Sequence, residues 1–249
     1  MNASMRKIGA LLSKDFADLF KNPTMIVSCV LPIGFAAIYR FMWVDMASDA
    51  QDVPGFTTFM TTMLLTMTLC MAVGMVCTLT VVSGMAEEKE KHTLRTLMLA
   101  NVSASQIVVA RSIVTLVLTA VVEVACFFVA GAPLDVLGPY MVIGIIGALP
   151  ILLFALVLGL AARDQMTASL YGVPLVLLAV LPMMGMASTS MEQVARFAPT
   201  GGMCELLALL LEGRLWTSEA VMPLVTLAVW IVLGALVFAL LFKKLSRDN

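Results

Sequence analysis

Residues 56–85 read FTTFMTTMLLTMTLCMAVGMVCTLTVVSGM, a run of 30 residues without one charged side chain. At about 1.5 Å of rise per residue, such a helix outruns the roughly 30 Å hydrocarbon core of a bilayer. The run predicts a single transmembrane helix that tilts, or continues as helix into the cytosol before the charges that begin at Glu87. Working outward, further apolar runs of spanning length lie at Met25–Val44, Ser112–Ala130, Leu137–Ala162, Leu170–Met186 and Pro223–Phe242. The chain is 61% hydrophobic and 12% charged, against about a quarter charged in soluble domains, so lipid is its solvent. The expected fold is therefore all-α integral membrane, with six transmembrane helices in one domain over residues 1–249.

Charge placement orients these spans, because Lys and Arg collect in cytoplasmic loops. Arg6, Lys7, Lys14 and Lys21 precede the first span; Lys89, Lys91, Arg95 and Arg111 follow the second; Arg163 follows the fourth; Lys243, Lys244 and Arg247 follow the sixth. The other loops hold only Arg196 and Arg214, among Asp45, Asp49, Asp52, Asp135, Glu192, Glu205, Glu212 and Glu219. The alternation predicts that both termini are cytoplasmic. Two charges, Arg40 and Glu123, fall inside spans at nearly equal depth. Each needs a partner, water or the interface: either the two meet, or Arg40 snorkels outward while Glu123 stays protonated.

Three segments outside the spans are structured by their own pattern. Ile8, Leu11, Leu12, Phe16, Leu19 and Phe20 recur at helical spacing opposite Lys7, Lys14, Asp18 and Lys21, and Asn22-Pro23 stops the helix. Residues 1–23 are thus expected to lie along the cytoplasmic membrane surface, although a plain basic anchor accounts for the same residues. Residues 86–106 pair opposite charges three or four apart, set Leu94, Leu97 and Met98 on one face, break at Asn101, and carry Ser103-Ala104-Ser105-Gln106, a capping box opening the third span. In residues 187–222, Pro199, Gly201 and Gly202 turn the chain sharply ahead of Met203–Leu211. That apolar stretch is too short to span and reads as an external re-entrant or interfacial helix.

The run from Glu88 to Ser103, with Arg111 beyond it, resembles the cytoplasmic loop of ABC transporter type-2 permeases. There an acidic-basic stretch, Gly-Thr-Leu, two leucines and a Pro-Val-Ser turn lead to a basic residue. This chain has His92 for the usual Gly, Arg95 for a common Glu, Asn101 for the usual Pro and Arg111 for a frequent Lys. The stretch Arg196-Phe197-Ala198-Pro199-Thr200-Gly201-Gly202-Met203 is similar to the family's segment before its short external helical hairpin, and the order of elements agrees along the chain. The resemblance implies the permease subunit of an exporter, working as two copies or with a related permease, in a bacterial cytoplasmic membrane. ABC ATPase subunits would bind ATP and Mg. It also implies a coupling helix in which Leu94, Leu97 and Met98 dock on the ATPase, with Thr93 beside them and Glu88, Glu90 and Arg95 at the rim.

In the second span Thr58, Thr62, Thr66, Cys70, Gly74 and Thr78 recur at steps of four, beside Met63, Met67, Met71 and Met75. A step of four advances about 40° past a full turn, so the row is expected to wrap the helix, with three or four members sharing a face. Close helix packing is one reading. The other is a substrate path lined by Thr58, Thr62, Thr66, Met63, Met67 and Met71, as in the family's second and fifth spans, with Pro174 and Pro182 letting the fifth span kink.

No Gly-x-x-x-x-Gly-Lys-Ser/Thr loop occurs, so this chain is not expected to hold ATP or any cofactor of its own. The sole histidine, His92, lacks metal-ligand companions, and no nucleophile constellation suggests catalysis, so neither a metal site nor enzyme activity is expected. A net charge of -1 argues against nucleic acid as a partner. Cys29, Cys70, Cys77 and Cys126 lie in apolar runs and read as packing residues, and Cys204 reads as a free thiol rather than an interchain bridge. No cleavable signal peptide is expected, because the first apolar run begins too late. Two other functions compete with the permease. An ion-coupled secondary transporter would need midplane charges, which only Arg40 and Glu123 offer, and repeated halves, which are not evident. A non-transporting membrane scaffold or sensor is the third reading. The substrate classes that suit a methionine-rich, weakly charged path are peptide antibiotics, hydrophobic drugs and lipid-like compounds.

Overall fold

The computed structural model describes residues 3–19, 21–49, 55–91, 93, 99, 102–185 and 189–245, and these are helical with no strand among them. Helix α1 covers Ala3–Leu19 and α2 Pro23–Asp49. The long apolar run forms α3 (Phe56–Met71), a six-residue π-helical segment (Ala72–Cys77) and α4 (Thr78–Glu90), stacked end to end. Then follow α5 (Ala104–Ala130), α6 (Leu137–Ala161), α7 (Gln165–Gly185), the short α8 (Thr189–Ala195), α9 (Gly201–Leu211) and α10 (Val221–Leu245).

Six of these stretches are long and apolar enough to cross a membrane: Pro23–Trp43, Phe56–Glu90, Ala104–Ala130, Leu134–Ala161, Gln165–Gly185 and Ser218–Phe242. They match the six apolar runs, and the long second run is one helix carried on to Glu90. That helix is the axis of the bundle. Its most apolar window is 83% buried, against 11% in the sixth span, because α2, α5, α6, α7 and α9 all pack on α3, the π segment or α4. The main apolar core lies around it and includes Leu65, Val73, Phe127, Tyr140, Ile151 and Leu207.

Local signals set the ends. Ser103 accepts a hydrogen bond from the Gln106 backbone N–H, and the Gln106 side chain accepts one from the Ser103 N–H, so the expected capping box opens α5. Gly131 closes that helix in the left-handed conformation. Asn22 does more than stop α1. Its Oδ1 accepts from the Thr24 N–H at 2.9 Å, capping α2, with Pro23 in the first helical position where its missing N–H is harmless.

The π segment alters the expected course of the small-residue row. Its i→i+5 bonds put more than four residues in a turn, so a step of four falls short there and reverses drift accumulated along α3. Gly74 within the segment and Thr78 just after it consequently both face α7. A Cβ on Gly74 would sit 2.9 Å from Ala179 Cβ, and Thr78 Cγ2 lies 3.5 Å from where a Gly172 Cβ would be.

Candidate functional sites

Four consecutive residues at the end of α4 each bind a different neighbour. Glu87 accepts from Asn22 Nδ2, the residue that caps α2. Glu88 is buried and takes Arg111 of α5, with Arg111 Nη2 3.0 Å from its Oε1, and it also pairs with Lys14 of α1. Lys89 donates to the Leu160 carbonyl and, at 2.9 Å, to the Ala162 carbonyl, which finish α6. Glu90 is exposed and accepts from the Gln165 N–H at 3.4 Å, where α7 begins. One further contact stays within the helix, an i,i+4 ion pair between Glu87 and Lys91, the residue after these four.

Arg111 is the centre of this cluster. Its side chain is 3% exposed, and besides Glu88 it reaches Asp15 Oδ1 of α1 at 3.5 Å. Room for the guanidinium comes from Gly84, one turn before Glu88 on the same face of α4: a Cβ there would lie 2.8 Å from Arg111 Nη1. Burial pushes the Asp15 carboxyl above its ordinary value, and the neighbouring Arg111 pulls it down without cancelling that effect. A cleft of about 300 Å³ opens beside the cluster, lined by Lys14, Asp18, Lys21, Glu87, Lys91 and Arg111.

At the other end of the second span a cavity of about 280 Å³ lies between α3, α7 and the α8–α9 turn. Thr62 and Thr66 form one wall, Pro182 another, and Arg196 with Glu205 a charged pair at 2.9 Å. Thr200 anchors the turn by donating to the Ala179 carbonyl at 2.7 Å. Ala179 follows Leu178, the carbonyl that Pro182 deprives of its helical donor.

The match that decides the family is to a model described as ABC-2 family transporter protein, and it covers residues 40–242. The chain belongs to the ABC-2 transporter family. It is a multi-pass membrane protein of the permease kind, the membrane subunit of an ABC transporter. No curated protein matches it.

In this permease the residues expected at the ATPase contact divide. Glu88 turns inward to Arg111 and Lys14, Glu90 is exposed, and the Thr93 hydroxyl donates to the Glu88 carbonyl at 3.1 Å. Leu94, Arg95, Leu97 and Met98 lie outside the described residues. Of the residues expected along a path, Thr62 and Thr66 line the cavity; Thr58 is exposed, Met63 and Met67 are half-buried, and Met71 is packed in the interior.

Arg40 and Glu123 are held apart. The Arg40 guanidinium lies over the C-terminus of α5, its Nη2 3.1 Å from where a Gly131 Cβ would be, and the negative end of the helix dipole favours it there. Glu123 sits about 12 Å deeper along the same helix. It is fully buried, its carboxylate packs against Gly144 of α6, and neither oxygen has a hydrogen-bond partner among the described residues. Arg40→Met and Glu123→Gln are therefore expected to act additively on the thermal stability of the purified permease. A double variant that loses much less than the sum would place the two side chains in contact.

Sequence reasoning singled out neither Lys14 as a partner of Glu88, nor Asp15 and Glu88 as partners of Arg111, nor the pairing of Arg196 with Glu205. These contacts join residues distant in the chain, except for the last pair, whose spacing of nine gives no helical signal across a turn.

Proposed function

We propose that this permease is the membrane subunit of an exporter driven by separate ATPase subunits, and that residues 86–106 carry the motion between them. The observation behind this reading is the run Glu87-Glu88-Lys89-Glu90, which ties the root of that loop to α1, α2, α5, α6 and α7. A push on the loop is thereby delivered to most of the bundle and not to one helix. Buried ionic and hydrogen-bonded contacts transmit displacement because breaking them strands charge. Both termini and this loop face the cytosol of a bacterial cell, residues 1–23 lie on the inner surface, and residues 187–222 form an external re-entrant segment. Two permease copies, or one with a related permease, enclose the path, and the Thr62–Thr66 wall of the cavity belongs to it. A peptide antibiotic, a hydrophobic drug or a lipid-like compound suits that wall of hydroxyls and apolar surface.

Copurification tests the central claim: ATPase subunits should remain with the tagged permease, and substrate-stimulated ATP hydrolysis should vanish when they are separated. Leu97→Asp is expected to detach or uncouple the ATPase, since each buried apolar side chain at such a contact is worth about 1.5–3 kcal/mol. Membrane insertion of that variant should be normal. Unchanged assembly and transport would reduce the loop to a connector.

Orientation is tested separately. In a cysteine-free background, Ala132→Cys and Ser218→Cys should react with an impermeant thiol reagent on intact cells, and Ser103→Cys only after lysis. Labelling of Ser103→Cys in sealed cells would invert the topology.

A further inference from the structure

Two thiols meet where α9 touches the second span. Cys70, near the end of α3, is fully buried, and its Sγ lies 3.1 Å from Sγ of Cys204 in the first turn of α9. Both sulphurs are free thiols. They belong to elements 134 residues apart in the chain, and α9 is held in place by other contacts as well. Gly202 approaches Pro223 of α10, Met203 packs on Gly147 of α6, and Thr200 is bonded to α7. The apposition is therefore set by the fold and does not depend on the sulphurs. Cys204 also lines the cavity bounded by Thr62, Thr66 and Pro182, so a small reagent reaches it from that side, whereas Cys70 lies behind it.

We propose that Cys70 and Cys204 form a reversible dithiol–disulfide latch that fixes α9 to the second span and arrests transport while it is closed. A disulfide needs sulphurs about 2.05 Å apart, so these must close by about 1 Å, a movement within the reach of side-chain rotation. The oxidant is a low-molecular-weight disulfide. Cys204, deprotonated, attacks one of its sulphurs, forms a mixed disulfide and expels the first small thiolate. Cys70, deprotonated in turn, attacks Cys204 Sγ, closes the internal bond and expels the second. Two protein thiols lose two protons and two electrons, and the reagent leaves as two thiols. Dithiol reductants reverse both steps. The arrest follows from position. The bond links two walls of the cavity, α3 and α9, so those walls can no longer part; this consequence rests on the cavity's being part of the export path.

The test uses the purified complex treated with dipyridyl disulfide, then alkylated with N-ethylmaleimide and mapped by mass spectrometry. The expected result is a Cys70–Cys204 cross-linked peptide, with Cys29, Cys77 and Cys126 still present as thiols. Substrate-stimulated ATPase activity should be lost in parallel and recovered in dithiothreitol. Because the reduced and oxidised states are compared in the same protein, the result does not depend on a variant that folds. In Cys70→Ala the reaction should stop at the Cys204 mixed disulfide, and no cross-linked peptide should appear. Maleimide on both Cys70 and Cys204 after oxidation would overturn the latch, and so would a cross-linked permease that supports hydrolysis at the reduced rate. Failure of any ATPase to copurify would count against the exporter reading alone, since mapping the bond needs only the permease.

Discussion

Arg111→Met is expected to destabilise the folded permease by about 3–5 kcal/mol, the cost of removing one partner from a buried charge pair. The guanidinium is the only group that reaches both Glu88 and Asp15 among their described contacts, and it does so almost wholly out of water. Without it, Glu88 keeps Lys14, but Asp15 loses the cation that pairs with it and both carboxylates stay buried. Thermal unfolding in detergent reads the loss directly. Adding Glu88→Gln to Arg111→Met should recover part of it, because the stranded charge goes with the substitution. A double variant as unstable as the sum of its parts would mean that Arg111 acts through packing alone.

Asp15 supplies a contrast inside the same cluster. Its folded pKa lies above the ordinary value of 3.8, chiefly through burial, so the fold favours its protonated form. The contribution of this group to stability is fully present below the unfolded value and is lost as pH rises through the folded one. At neutral pH, Asp15→Asn should therefore be neutral or stabilising, although it removes a carboxylate facing Arg111. It should also flatten the part of the stability profile that falls just above the ordinary carboxylate range. A stability loss comparable to that of Arg111→Met, measured at neutral pH, would show that the Asp15–Arg111 attraction outweighs burial.

What could be read from the sequence is what local physics fixes. Six apolar runs give six spanning helices because backbone groups in lipid must bond within their own segment. Ser103-x-x-Gln106 gives a cap because both partners lie within one turn. The charges at Glu87–Glu90 were legible as a helical, mixed-sign stretch, but not as a hub. Local spacing suggests pairs three or four apart, and only Glu87–Lys91 forms that way within this stretch, whereas Glu88 takes residues 74 and 23 positions away. Desolvation decided the matter, since the face of α4 that carries Gly84 and Glu88 is covered by α2 and α5, and α1 reaches it through Lys14. The small-residue row hid a second fact. Steps of four in an ideal α-helix drift around the axis, and no residue in AVGMVC announces the π segment that reverses the drift. Cys70 read as a packing residue and Cys204 as a free thiol for the same reason: nothing within either segment refers to the other.

Gly201→Ala is the second substitution with a large expected effect. A Cβ at this position would stand 2.4 Å from the Ala195 carbonyl oxygen and 2.4 Å from that of Arg196. Both obstacles are backbone, so no rotamer change relieves them, and the Ala195–Arg196 turn must move away from α9. The next residue offers no slack, because a Cβ on Gly202 would meet the Pro223 carbonyl oxygen at the same distance. Overpacking of a close-packed interior costs about 1–3 kcal/mol and more where backbone must shift, so a loss at or above the top of that range is expected. The displacement should reach three contacts that α9 and its turn hold: Met203 on Gly147, Thr200 on Ala179, and Cys204 on Cys70. Gly138→Ala is the control, since nothing lies within 4 Å of its Cβ position and alanine favours the helix by about 0.5–1 kcal/mol. Thermal unfolding should separate the two variants in opposite directions. Loss of oxidative cross-linking between Cys70 and Cys204 in Gly201→Ala, with Gly138→Ala unaffected, would localise the damage to the α9 turn. Equal stability of the two alanine variants would mean that the turn relaxes freely and that the two glycines do not fix α9.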